Sequence, residues 1–357
     1  MIKHAGMELL LNIRLKPLRV LILLLVMALL TVSCQSVPEA PYQDELSGSL
    51  GWKRAAFNRM KNNRNEPLVG RVQPMPADLF NALKDSDYEI GITSSRHYTT
   101  RAATEQELTL FQSYVALLPS AHQKIMKQKL LAVYLVNDFA GAGYSDWVID
   151  PSGNIFYYLI INTAVFERSI DEWLTFRDGS LFDDSVPELS LKVLTGIDYK
   201  ALLYALLHEG AHLVDYELGV TPFVDDLHRK VLHKKVESTA FTQGVWLSQG
   251  QPVEPYDFKL RKNMNIYGIY PERGKIAEFE SVAMLEQLSS TPFVSFYAGS
   301  SWNEHLSDVL TYHHIEQFLG GKVMMELTSQ GQLVQRYTPM SSPQIEPLKE
   351  TLRVFYE

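Results

Sequence analysis

The sequence predicts an α+β fold in which a mixed β-sheet precedes one long, mostly apolar helix. Three observations predict it. Short runs of branched and aromatic residues at 131–136 and 155–161 are set off by turn signals. Apolar residues recur at helical spacing over 104–118 and, after Pro119, over 120–130. Residues 198–219 read as one uninterrupted helix between a candidate N-cap, Asp198, and a candidate stop, Gly219. With 357 residues, 46% of them hydrophobic, the chain can bury a substantial core as one large domain or two intimate ones.

Taken in order, Lys3, Arg14, Lys16 and Arg19 lead into an uncharged run at 20–32. That run is too short for a membrane span and suits the core of an export signal. It ends in Leu30-Thr31-Val32-Ser33-Cys34, which resembles the lipobox of bacterial lipoproteins. The resemblance implies cleavage after Ser33, a diacylglycerol on the Cys34 sulfur and the lipid bilayer as a partner. Gln35, where Asp would retain the protein at the inner membrane, implies an outer-membrane anchor facing the periplasm. Cys34 is the only cysteine, so the mature fold contains no disulfide.

Residues 35–51 are rich in Pro, Ser, Gly and acidic groups without a periodic apolar pattern, as a tether needs. The expected plan is a signal peptide at 1–33, a tether and N-terminal extension at 34–74, and one main domain at 75–357. Within that domain, 139–144 and 150–154 read as loop and turn. Trp173 sits in a further helix, and 189–194 reads as another strand. The formal charge of -8, with no Lys/Arg run, argues against nucleic acid as a partner.

The chemistry lies in His208-Glu209-Gly210-Ala211-His212 on the helix at 198–219. Two imidazoles four residues apart share a helix face and can reach one tetrahedral Zn²⁺, while Glu209 can activate water as a general base. Gly210 and Ala211 add no bulk beside the metal. A catalytic zinc needs a third protein ligand, for which Glu304 is favoured. Glu304 and Asp308 lie four apart on a predicted helix, so one can bind metal while the other orients a ligand histidine. Glu237, Glu278 and Glu280 are rival ligands. Asp215 could hold the helix to a basic partner or orient a histidine, and His313 and His314 could meet solvent, substrate or a helix C-terminus.

Asn303, Glu304, Ser307 and Asp308 form a segment that resembles the N-E-x-x-S-D ligand segment of thermolysin-like peptidases and, more broadly, the E-x-x-x-D pattern of gluzincins. About ninety residues separate it from His212, a gap that sets thermolysin itself aside. His208 to Asp215 is similar to the zinc helix of Mlc titration factor A and of the anthrax lethal factor protease domain. These resemblances imply a zincin-like fold, zinc as cofactor, and Tyr297, seven residues before Glu304, as a phenol assisting the transition state.

The expected function is zinc-dependent hydrolysis of a peptide or protein substrate by a lipid-anchored envelope protein. The alternative is a non-catalytic, zinc-containing envelope lipoprotein with a binding or assembly role. Hydrolysis of a non-peptide amide in cell-wall material would use the same residues. An extended substrate is expected to add to a sheet edge near 155–161.

Overall fold

A computed structural model describes residues 40–183 and 189–357. The proposed signal peptide and Cys34 lie outside the described residues. The chain divides after Gly51, and residues 52–357 form one unit with a continuous core. Compact structure therefore begins more than twenty residues before the expected boundary at 75. Helix α1 (Ala40–Met60) covers most of the expected tether. From Lys53 on, its inner face is Lys53, Ala56, Phe57 and Met60, an i, i+3, i+4, i+7 stripe. Only two of those four are large hydrophobes, and Arg and Asn flank them, so the apolar signal in the sequence is thin. Lys53 is buried as an ion pair, its Nζ 2.5 Å from Asp146 Oδ1.

The remaining helices are α2 (Ala77–Glu89), α3 (Glu105–Val115), α4 (Ser120–Lys129), α5 (Ile170–Gly179), α6 (Ala201–Leu218), α7 (Asp226–Val231), α8 (Glu280–Leu288), α9 (Trp302–Phe318) and α10 (Glu346–Thr351). Thr104 starts α3 and Ser169 starts α5, each in a capping box with the glutamate three residues on, Glu107 and Glu172. The main sheet contains β1 (Val72–Gln73), β2 (Thr99–Arg101), β3 (Leu130–Asn137), β4 (Gly143–Ile149) and β5 (Ile155–Asn162). Its order is β1-β3-β5-β4, with β2 also pairing β3. Strands β3 and β5 run parallel, with Val133 opposite Leu159. Strands β4 and β5 are an antiparallel hairpin, with Trp147 opposite Tyr157. The sheet is therefore mixed and the fold α+β.

The hairpin turn is Asp150 to Asn154, where the Asp150 carboxylate accepts from the backbone N–H of Ser152 and of Asn154. Among the described residues β4 has β5 as its sole neighbour, so β4 and not 155–161 is the open edge. The physical reason is visible in β5 itself. Every residue from Ile155 to Asn162 is buried, as expected for a strand covered on both faces and both sides.

Three further strands, β6 (Leu189–Leu194), β9 (Met324–Ser329) and β10 (Gln332–Tyr337), make an antiparallel sheet in the order β10-β9-β6, and β7 (Trp246–Ser248) pairs with β8 (Gln251–Pro252). Helix α6 runs through the middle of the unit, packed against α4, α5, α9 and β4. No helix among the described residues is long and apolar enough to cross a membrane.

Candidate metal centre

Helix α6 is buried all round from Ala201 to Tyr216. It begins two residues later than its candidate cap: Lys200 is the N-cap and Asp198 precedes it. The Ala201 N–H bonds the Arg168 carbonyl, so a neighbouring loop takes the place of a side-chain cap. It ends at Gly219, whose φ of 65° and ψ of 47° form a left-handed cap that glycine adopts without strain. Asp215 serves this end. Its carboxylate accepts from the backbone N–H (2.7 Å) and the hydroxyl (2.5 Å) of Thr221, and it orients neither a basic partner nor a histidine among the described residues. Burial pushes its pKa up to about 6.

One turn apart on α6, His208 and His212 face the first turn of α9. There Ser301 caps the helix and accepts from the Glu304 N–H. Glu304 Oε2 lies 2.8 Å from His208 Nε2 and 3.6 Å from His212 Nε2. Ligand atoms of the three residues all fall within 4.8 Å of one another, so the group could hold a metal ion. The rival carboxylates are elsewhere. Glu237 is exposed in a loop, Glu278 accepts from the Leu189 N–H, and Glu280 pairs with Lys259 at 2.9 Å.

Behind these three side chains stands a layer from which water is excluded. Asp308 Oδ1 is 3.1 Å from His208 Nδ1, and Asp308 Oδ2 accepts from Ser295 Oγ at 2.5 Å. Arg177, itself fully buried, reaches Asp308 at 2.9 Å and Asp178 at 2.7 Å, and donates to the hydroxyls of Tyr204 and Tyr312. Ser307 Oγ is 3.2 Å from His212 Nδ1, and Asn303 Nδ2 donates to the other oxygen of Glu304. Each of the three candidate ligands thus has its own positioning partner.

The electrostatics favour a cation among these donors. Burial alone would strip the proton from His208, yet the hydrogen bonds it donates to Asp308 and Glu304 outweigh it and push its pKa up to about 10. Burial likewise works against the Glu304 carboxylate, but His212 and His208 hold it well below the usual range. A positive charge is thus strongly stabilised where the three donors converge. The donor separations of 2.8 and 3.6 Å bracket the roughly 3.3 Å edge of a tetrahedron with zinc-like bonds. The residues fit a divalent metal.

Glu209 points from α6 toward β4 and is buried. Burial raises its pKa, with His212 and His208 opposing, and Ser145 hydrogen-bonds it. The backbone of Gly143 lies close against this side chain: a Cβ there would come 3.0 Å from Glu209 Cγ and from the Ile160 carbonyl oxygen. Tyr297 opens a short turn before α9 and stacks on His208, with ring centroids 5.6 Å apart. Burial keeps its hydroxyl protonated, and so a donor, well above the ordinary range. Tyr297, His208, Glu304 and Gly143 all line one cavity of about 630 Å³.

Three expected residues lie off the centre. Gly210 faces helix α4, where a Cβ would come 2.2 Å from the His122 ring, so its smallness serves helix packing and not the metal. His314 bonds the Leu117 carbonyl and stacks on Tyr356, and His313 packs on the same ring. The sequence reading missed Arg177, Asp178, Ser295, Tyr204 and Tyr312. Tyr204 and Tyr312 carried a signal, lying one helical turn from His208 and Asp308. Arg177 carried none, being one of four charged residues in a ten-residue helix. No family model, curated protein or solved structure matches this chain.

Proposed function

We propose that residues 52–357 form a zincin-like peptidase domain that hydrolyses peptide bonds, with zinc held by His208, His212 and Glu304. The observation that carries this reading is the meeting of three ligands from two helices beside a buried glutamate, at the wall of an open cavity. Zinc bound there supplies a Lewis acid that polarises a carbonyl and lowers the pKa of water toward neutrality. Glu209 accepts a proton from the attacking water as the C–O bond forms, then returns it to the amine as the C–N bond breaks. Tyr297 donates a hydrogen bond to the developing oxyanion. Asp308 fixes the His208 ring, with Arg177 behind it. An extended substrate adds to the open edge of β4 at Gly143–Ser145, beside Glu209.

The same reading anchors the protein to the outer membrane through acylated Cys34, facing the periplasm. Metal analysis of the purified domain is the first test. Near-stoichiometric zinc is expected in the wild type and in Glu237→Ala, and loss of zinc in Glu304→Ala. Glu209→Gln should keep its zinc and lose peptide hydrolysis by about 10²–10⁴-fold. A folded, metal-replete wild type without zinc would sink the reading.

A further inference from the structure

Two cavities meet at the candidate centre, and their walls differ in kind. They share Ala140, Gly143 and Tyr297. The first, which contains His208 and Glu304, is also lined by residues of the segment 261–273. That segment contributes Arg261, Lys262 and Arg273 to the wall, while Glu304 is the one carboxylate lining it. In a chain with 41 acidic and 33 basic residues, this is a local reversal of sign.

The three cations are not equivalent. Arg261 is spent on structure: its Nε bonds Asp257 at 2.7 Å and its Nη1 the Gly299 carbonyl at 2.9 Å, tying the segment to the turn that holds Tyr297. Lys262 approaches the same Asp257 loosely, at 3.4 Å, and is 66% exposed. Arg273 is exposed and stacks on Tyr270 at 4.3 Å, with no carboxylate in ion-pair contact among the described residues. Two cations at the mouth are therefore available to a ligand.

The second cavity, about 530 Å³, is lined by Met75, Leu79, Ile92 and Phe139, with Ile90, Tyr144 and Trp52 at its mouth. Those last three are 59%, 44% and 39% exposed, a gathering of large apolar side chains in water that a monomer without a ligand here has no use for. Both carboxylates in its wall are engaged, Asp146 with Lys53 and Asp87 with the Tyr98 hydroxyl.

We infer that the ligand is a peptide that places a carboxylate against Lys262 and Arg273 and an apolar side chain in the Ile90–Tyr144 cavity, with the bond between them at Glu209. This rests on the hydrolase reading above and names its substrate class. The carboxylate can come from an acidic side chain or from the peptide's own C-terminus, since an Arg and Lys pair recognises either.

The test measures binding separately from turnover. Zinc-loaded Glu209→Gln is titrated by fluorescence anisotropy with peptides that have one apolar residue fixed. A nearby position carries Glu, Gln or Lys, and each C-terminus is either free or amidated. Tighter binding of Glu over Gln, or of free over amidated ends, by tenfold or more is expected, fading with added salt. The double variant Lys262→Glu/Arg273→Glu should abolish or invert that preference while keeping its zinc. Equal binding of all peptides, absence of binding, or a preference untouched by the double variant would overturn the inference. The wild type is then assayed for cleavage. Cleavage without charge preference spares the hydrolase and removes this substrate class. Charge-selective binding without cleavage does the reverse.

Discussion

The floor of the candidate centre and its rim are built on opposite principles. Below His208, four charged or phenolic groups, Arg177, Asp178, Asp308 and Tyr312, are sealed from water and fully hydrogen-bonded to one another. Above it, 261–273 is a chain of short 3₁₀ turns, with Tyr267 at a φ of 62° and two exposed cations, Lys262 and Arg273, that hold little. The floor has one arrangement that satisfies every group, whereas the rim can change its side chains without consequence for the core. On the reading proposed above, chemistry that depends on angstrom positioning would sit on the first, and selection among ligands on the second.

The sharpest way to break this contrast is to remove the cation from the floor. Arg177→Met leaves Asp178 and Asp308 buried without a counter-charge, and a loss of about 3–5 kcal/mol in urea unfolding is expected. Metal affinity should fall too, because Asp308 would no longer be held against His208. A loss below 1 kcal/mol would show that the floor relaxes as freely as the rim.

Next in size is the contact that makes Gly210 obligatory. Alanine normally favours a helix interior by up to about 1 kcal/mol over glycine. Here its Cβ would overlap the His122 ring, so Gly210→Ala should cost about 1–3 kcal/mol, and His122→Ala should recover most of it in a double-mutant cycle. Additive losses from the two changes would refute the contact as the cause.

The same histidine links the stability of the fold to pH. Burial pushes its pKa from 6.5 down to about 3, so the folded state keeps it neutral where the unfolded chain takes up a proton. Its contribution is fully present above about pH 6.5 and is lost at up to 1.4 kcal/mol per pH unit as pH falls toward 3. His122→Leu should remove one proton's worth of slope from stability measured across that window. An unchanged slope would mean that His122 titrates normally in the folded protein.

What the sequence revealed, and what it withheld, follows the same division by range. His208 with His212, and Glu304 with Asp308, are pairs set by the period of a single helix, so their shared faces could be read locally. So could the Gly219 cap and the strands at 131–136, 155–161 and 189–194. Arg177 could not be read, because it meets Asp308 from 131 residues away and belongs to no local pattern. Nor could the sheet edge. Strand order is a tertiary property, and the edge strand β4 itself was not legible, its first residues, Gly143 and Tyr144, reading as the end of a loop. Helix α1 stayed hidden because four inner positions among Arg and Asn make a weak stripe, and Gly210 was assigned to the metal because its neighbour His122 lies 88 positions away.

The smallest expected effect sharpens the comparison from the other side. Lys262 and Arg273 are exposed, and their contacts, a loose ion pair and a stack on Tyr270, are of the kind that contributes little to folding. Reversing both charges should therefore move the unfolding free energy by no more than about 0.5 kcal/mol, even as it changes which peptides bind. Arg261, one residue from Lys262, is the internal control: its side chain is 4% exposed and bonded to Asp257 and Gly299, so Arg261→Glu should destabilise the segment by well over that amount. If all three substitutions cost the same, the rim is part of the floor's network after all, and selectivity has to be sought in the apolar cavity on the far side of Tyr297.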